Sequence, residues 1–410
     1  MTVKRELYLS QLRNFTGTPF IKILCGIRRC GKSSILELLK EELAASGVPE
    51  EDIIYINLEL YGAEFSNPSG LSGEIKSRMK GRDKVFVLLD EVQLLDGWER
   101  VVNALFAGKK ADIFITGSNS GLLSSELATL LSGRYVQFYI RPLSFAEYIS
   151  FRKILGGTNI AGTEAVWEYL RVGGFPGIHY LKDMNSTLVY KAVADIFSAV
   201  VLKDVVQRNK LRNADLLERI IKFLLDNTGN MISANSMSVF FKNQKRKIGV
   251  DTILEYIAAL ERACVIEKAR RWDIRGKKLL NIREKYYSAD VSFIHALLGY
   301  DDRRLPGVLE NIVYSELRRR GYDVFVGQYD DREIDFVALR EGGRIYVQVT
   351  YLVNNDPLII EREFGNLLKI KDQYPKYVVS LDEHRRGSVE GVRHVYLPEF
   401  LLMEDYLFPA

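Results

Sequence analysis

The stretch "GIRRCGKSS" at residues 26–34 most restricts what this chain can fold into. It fits Gly-x-x-x-x-Gly-Lys-[Ser/Thr], directly follows the apolar run "FIKILCG", and opens a helical pattern at Lys32. That strand–loop–helix context gives the motif its chemical meaning. Backbone N–H groups around Gly31 and the helix N-terminus can cradle phosphates, the Lys32 ammonium can reach the β- and γ-phosphates, and the Ser33 hydroxyl can ligate Mg²⁺. The expected nucleotide contacts are therefore Gly26, Ile27, Arg28, Arg29, Cys30, Gly31, Lys32, Ser33 and Ser34. The two loop arginines either assist anion binding or point to solvent. A glycine-rich turn with a solvated lysine accounts for neither the Gly-Lys-Ser-Ser order nor the strand that follows.

Around this motif, apolar runs alternate with helical patterns: "DIIYINL" (52–58), "KVFVLLDE" (84–91), "DIFITGS" (112–118) and "RYVQFYI" (134–140). Such alternation predicts an α/β fold, a P-loop parallel sheet with helices on both faces, over residues 1–144. Residues 145–214 read as a helical lid broken by "GGFPG" (173–177). Residues 215–290 give three helices and two strands, the order of a winged helix-turn-helix. Residues 291–410 run helix, three strands, helix, strand, as in a C-terminal α/β restriction-endonuclease-like domain.

The run "VFVLLDE" ends in Asp90-Glu91. At a strand end, one carboxylate can hold a Mg²⁺ shell while the next orients and polarises a water, which favours hydrolysis. Glu91 can also be read as an acidic residue starting a helix. Ser118-Asn119, ending the next strand, can contact the γ-phosphate or the water, or can form a turn or N-cap. Arg134 can reach developing phosphate charge, including in a neighbouring subunit, or can form a structural salt bridge.

Together "GIRRCGKSS", "LLDEVQLLDGWE", "ITGSNSGLLS", "LSGRYVQFYIRPLSFAEY", "GGFPG", "LKDVV" and "EIDFVAL" resemble the AAA+ superfamily of P-loop ATPases, in particular bacterial and archaeal members with a C-terminal nuclease-like domain. The resemblance spans nearly the whole chain. It implies an additional-strand sheet, ATP and Mg²⁺ as cofactors, Asp90 and Glu91 as Mg²⁺ and water residues, and Asn119 or Ser118 as a sensor. "GGFP" is similar to the Gly-x-Pro element of STAND-type signalling ATPases, which implies Pro176 as a nucleotide-pocket residue. A simple helix break explains the same residues.

The 410-residue chain carries a net charge of +4, but residues 242–285 hold 13 Lys/Arg against 6 Asp/Glu, a local +7. On a winged helix this segment, which includes Trp272, suits DNA phosphates; a solvated face or a protein interface is the alternative. The three cysteines and four histidines show no zinc-like spacing. No apolar run reaches the ~18 residues of a membrane span, and "MTVKRELYLSQL" lacks a signal-peptide core, so a cytoplasmic protein is expected.

In the last segment, "REIDFVALREGGRIYVQVT" (332–350) reads as two strands joined by a turn. Period-two alternation puts Glu333 and Asp335 on one face and Gln348 and Thr350 likewise on the next strand, with Glu310 approaching from the preceding helix. The order of elements resembles the PD-(D/E)xK nuclease fold. Asp335 matches its first acid, whereas Gln348 and Thr350 depart from its second acid and its lysine. A neutral amide is a poorer Mg²⁺ ligand, and a hydroxyl offers no cation. A degenerate site is expected, unless Glu333 and a migrated Lys369 or Lys371 restore it. The expected function is an ATP-hydrolysing switch coupled to DNA or protein binding, with ATP and ADP as ligands and a homo-oligomer as one arrangement. The alternatives are an ATP-gated nuclease and a non-catalytic nucleotide-dependent scaffold.

Overall fold

The computed structural model describes residues 3–61, 65, 67–118, 133–156, 162–209, 211, 213–353, 357–383 and 387–407. The chain forms two compact units, one of residues 1–141 with 262–264, the other of 142–261 and 265–410.

The first unit is built on five parallel strands, β1 (Ile21–Cys25), β2 (Ile53–Asn57), β3 (Val85–Asp90), β4 (Ala111–Gly117) and β5 (Tyr135–Tyr139), in the order β2-β3-β4-β1-β5. Parallel strands covered on both faces read as unbroken apolar runs, and every residue of β1 is buried. Ile54, Ile56, Val87, Leu89, Ile113 and Ile115 pack with Leu71 and with Trp98 of helix Trp98–Ala107 on one face. β4 lies between β1 and β3, the additional strand that the resemblance implied. The insertion sets the end of β4 beside the end of β3, with Leu89 opposite Ile115.

The second unit opens with helices Phe145–Gly156, Gly162–Val172, Ser186–Val200, Ala214–Asp226, Ala234–Asn243 and Val250–Arg262, the last running to the unit's boundary. An eight-stranded sheet follows: β6 (Ile266–Asp273), β7 (Lys278–Ser288), β8 (Asp323–Tyr329), β9 (Arg332–Arg340), β10 (Gly343–Val349), β11 (Lys376–Ser380), β12 (Gly387–Val389) and β13 (Val392–Tyr396). Its order is β12-β13-β11-β10-β9-β8-β6-β7.

The helices and hairpin expected for a winged helix thus occur in sequence order, but β6 also pairs in parallel with β8, Arg271 lying opposite Val326. The edge that a free hairpin would leave open is satisfied by the C-terminal strands. Residues on both sides of the expected boundary at 290/291 accordingly share one sheet. Among the described residues, no helix is long and apolar enough to cross a membrane.

Candidate functional site

The phosphate loop leaves β1 at Gly26, where a side chain would not fit: a Cβ there would lie 2.1 Å from the Ile140 carbonyl oxygen. Cys30 is buried, and burial raises its thiol pKa. Its carbonyl accepts a hydrogen bond from Arg5 Nη1 at 2.7 Å, while Arg5 Nη2 donates to Arg141 O at 2.9 Å. Arg5 is therefore a buttress of the loop. Only the folded chain joins it to residues so far apart in sequence.

Helix Lys32–Ala45 starts at the motif's lysine. The Lys32 ammonium donates to the carbonyls of Gly26 at 3.1 Å and Ile27 at 3.0 Å, which keeps its charge inside the loop. Arg28 pairs with Glu59 at 3.3 Å, and Arg29 is exposed in a left-handed conformation at φ 65°.

Asp90, at the end of β3, is fully buried. Its Oδ1 accepts from Ser33 Oγ at 3.1 Å and from the Thr116 hydroxyl; its Oδ2 accepts from Asn57 Nδ2 at 2.9 Å and Tyr55 OH at 3.4 Å. All four donors are uncharged, so they orient the carboxylate without cancelling its charge. Burial, and then the Asp90 charge, raise the Tyr55 pKa, which keeps that phenol a donor.

Glu91 adopts φ 56°, a left-handed conformation costly for a residue with a Cβ. Its N–H donates to Thr116 Oγ1 at 2.9 Å, and its carboxylate accepts from the Gln93 amide. Gln93 also donates to the buried Ser118 Oγ at 3.4 Å. One hydroxyl, that of Thr116, thus ties both acids together. Asn119 lies outside the described residues. Arg134 donates to Asn103 Oδ1 at 2.9 Å and lies over the Phe106 ring at 5.7 Å, so helix Trp98–Ala107 holds it.

This arrangement fits a nucleotide with Mg²⁺. A hydroxyl and a charged carboxylate meet at the start of the helix that carries Lys32, and Mg²⁺ needs only one or two protein oxygens when phosphates complete its shell.

Pro176 belongs to the second unit and opens the short helix Pro176–Tyr180. The glycines before it have a local role. Gly173 has φ 71°, a Cβ there would lie 1.9 Å from the Asp290 carboxylate, and Gly174 N donates to Asp290 Oδ2 at 2.7 Å.

The second carboxylate group also lies within that unit. Glu310 on helix Leu305–Arg319 and Glu333 and Asp335 on β9 meet around the ammonium of Lys285, which projects from β7. The N–O distances are 3.0 Å to Glu310, 2.7 Å to Glu333 and 3.1 Å to Asp335. Asp335 Oδ2 accepts from Val349 N at 2.9 Å, and Tyr287 OH donates to Glu310 at 3.1 Å.

Burial, followed by the Asp335 charge, raises the Glu310 pKa to about 8 against the opposing pull of Lys285. Burial alone would lower the Lys285 pKa, but Glu310, Asp335 and Glu333 hold it well above its ordinary range. Gln348 is bonded to the Asp335 N–H at 3.4 Å, and Thr350 N donates to Val379 O at 2.9 Å. The cation that meets these acids is Lys285, not the Lys369 or Lys371 that a restored site would use; the Lys371 ammonium donates to Leu368 O at 3.2 Å.

Much of the basic segment is internally paired. Arg246 meets Asp215 at 2.7 Å, Arg275 meets Asp330 at 2.5 Å, Lys268 lies 3.6 Å from Glu284, and Arg271 donates to Gln328. Lys242, Lys245, Lys247, Arg270, Lys277, Lys278 and Arg283 are exposed. Helix Val250–Arg262 presents Asp251, Leu254 and Glu255 to solvent, so its outer face is acidic and apolar.

Fold, loop and strand-end acids define an AAA-type P-loop ATPase domain, and residues 18–149 match the family model described as an AAA domain. Residues 163–304 match a domain of unknown function, DUF8612. An uncharacterized protein of Haemophilus influenzae is 35% identical over 402 residues, 98% of each chain. This chain belongs to the family of that protein. The Methanocaldococcus jannaschii protein MJ1544 is 27% identical over 349 residues, 82% of this chain and 75% of that one. Among solved structures, the Walker-type ATPase PABY2304 of Pyrococcus abyssi shares the fold at TM-score 0.51 and 17% identity, covering 73% of this chain and 96% of that one.

Proposed function

We propose that the protein is a Mg²⁺-dependent ATPase whose nucleotide state governs binding of DNA or a protein partner by the second unit. The observation that carries this reading is the linkage Ser33–Asp90–Thr116–Glu91 beside the Lys32 loop. Mg-ATP supplies a polarised γ-phosphate; the rest of the chemistry falls to this chain's side chains. Lys32 binds phosphate charge, and Ser33 and Asp90 hold the cation. Glu91 orients the attacking water and accepts its proton, with Gln93 fixing the carboxylate and Thr116 fixing the backbone.

DNA is the favoured partner because exposed lysines cluster at the turn after helix Ala234–Asn243 and at the β6–β7 turn. The acidic outer face of helix Val250–Arg262 argues for phosphate contact through those turns and against base reading by that helix. The last strands and helices are read as a nuclease-like module used for binding, with Glu310 and Asp335 together and Gln348 and Thr350 in the other two positions. Arg134 acting in a second subunit belongs to the same reading.

Steady-state phosphate release with and without duplex and single-stranded DNA tests it. The wild type is expected to turn over ATP and to respond to DNA. Full activity in Lys32→Ala would contradict the assignment of the site, and absence of DNA affinity at low salt would turn the reading toward a protein partner.

A further inference from the structure

The nuclease-like order of elements implies a divalent cation among Glu310, Glu333 and Asp335, and the geometry there does not fit one. The place is taken. Lys285 Nζ lies within 3.1 Å of an oxygen of each of the three carboxylates, and its side chain is only 2% exposed. The ammonium donates hydrogen bonds to Glu310 and Asp335 and is ion-paired with Glu333, so its three N–H donors face acids of its own chain. Among the described residues, no group of three or more His, Cys, Asp or Glu is arranged to hold a metal ion.

We infer that Lys285 is a built-in replacement for the divalent cation, so that the carboxylate cluster of the second unit binds no metal and supports no metal-dependent strand cleavage. Three features converge on this. The ammonium comes from β7, whereas in the nuclease pattern the lysine stands two residues beyond the second acid, a place held here by Thr350. There a lysine would flank a metal; here it sits among the acids themselves. Asp335 has both oxygens engaged, one by Lys285 and one by Val349 N. The charge is also largely offset without a metal: the Lys285 ammonium and the proton that Glu310 retains at neutral pH offset two of the three carboxylate charges, and the third acid, Glu333, reaches solvent. Replacing one positive side chain by a neutral one should then recreate the cation site, because a partly buried acidic cluster stripped of its counter-ion recruits another.

Mn²⁺ binding to the nucleotide-free full-length chain, counted by electron paramagnetic resonance, tests this directly. Wild type should bind no Mn²⁺ that depends on Asp335. Lys285→Ala should gain about one ion per chain, lost again on adding Asp335→Asn. Lys285→Met keeps the side-chain volume and should gain the same ion. If either variant unfolds, Mn²⁺ should restore its circular dichroism and raise its melting temperature, while leaving wild type unchanged. The inference is overturned by an Asp335-dependent Mn²⁺ in wild type, by Mn²⁺-dependent nicking of plasmid that Asp335→Asn abolishes, by folded Lys285 variants that gain no ion, or by unfolded ones that Mn²⁺ does not rescue.

Discussion

Two groups of acids, one in each unit, are partnered in opposite ways. Asp90 accepts hydrogen bonds from Ser33, Thr116, Asn57 and Tyr55, all uncharged, so its negative charge is oriented yet retained. Glu310, Glu333 and Asp335 instead close on an ammonium from their own chain. Carboxylates alone do not identify a metal site. The charge on their hydrogen-bond donors does, because neutral donors leave capacity for an ion and a lysine consumes it.

The contrast can be broken most severely at the phosphate loop. Lys32→Ala removes the ammonium that bonds to the Gly26 and Ile27 carbonyls inside the loop, and phosphate release should fall by about 100-fold or more. Glu91→Gln keeps the shape and loses the base; turnover should drop by about 100-fold while binding of an ATP analogue, followed by fluorescence, persists. Thr116→Val unties the two acids while keeping the side-chain shape. A loss of about 10-fold in kcat is expected, since it orients other groups and touches no phosphate.

In the second unit the same logic appears as stability. Asp335→Asn leaves Lys285 short of a partner in a buried site, and the unit's calorimetric transition should weaken by about 3 kcal/mol. The most gradual effect is with pH. Glu310 holds its proton more tightly when folded, so the folded unit binds more protons than the unfolded chain between the ordinary carboxyl range and about 8. Stability must therefore fall as pH rises through that window, by at most about 1.4 kcal/mol per pH unit. Glu310→Gln should flatten the slope; an unchanged slope would assign it to other groups.

How much of this the sequence discloses follows from locality. The first unit's strands are legible because parallel strands buried on both faces are unbroken apolar runs, and Asp90-Glu91 stands at the end of one. Thr116 looks like one more β-branched residue of "DIFITG"; its role emerges only once β4 lies between β1 and β3. Period-two alternation correctly brings Glu333 and Asp335 to one face of β9. Lys285 escapes for the opposite reason. It is one of many basic residues in a segment whose charge suggests nucleic acid, and its partners lie 25 to 50 positions away across a sheet whose β6–β8 pairing no local pattern announces. Arg5, far along the chain from the Arg141 carbonyl it holds, is hidden in the same way.

The most direct test of the contrast between the two sites is the number of Mn²⁺ ions bound per chain in the presence of a non-hydrolysable ATP analogue. The account predicts about one, abolished by Asp90→Asn and untouched by Asp335→Asn. A second ion, or one that survives Asp90→Asn and disappears with Asp335→Asn, would contradict it.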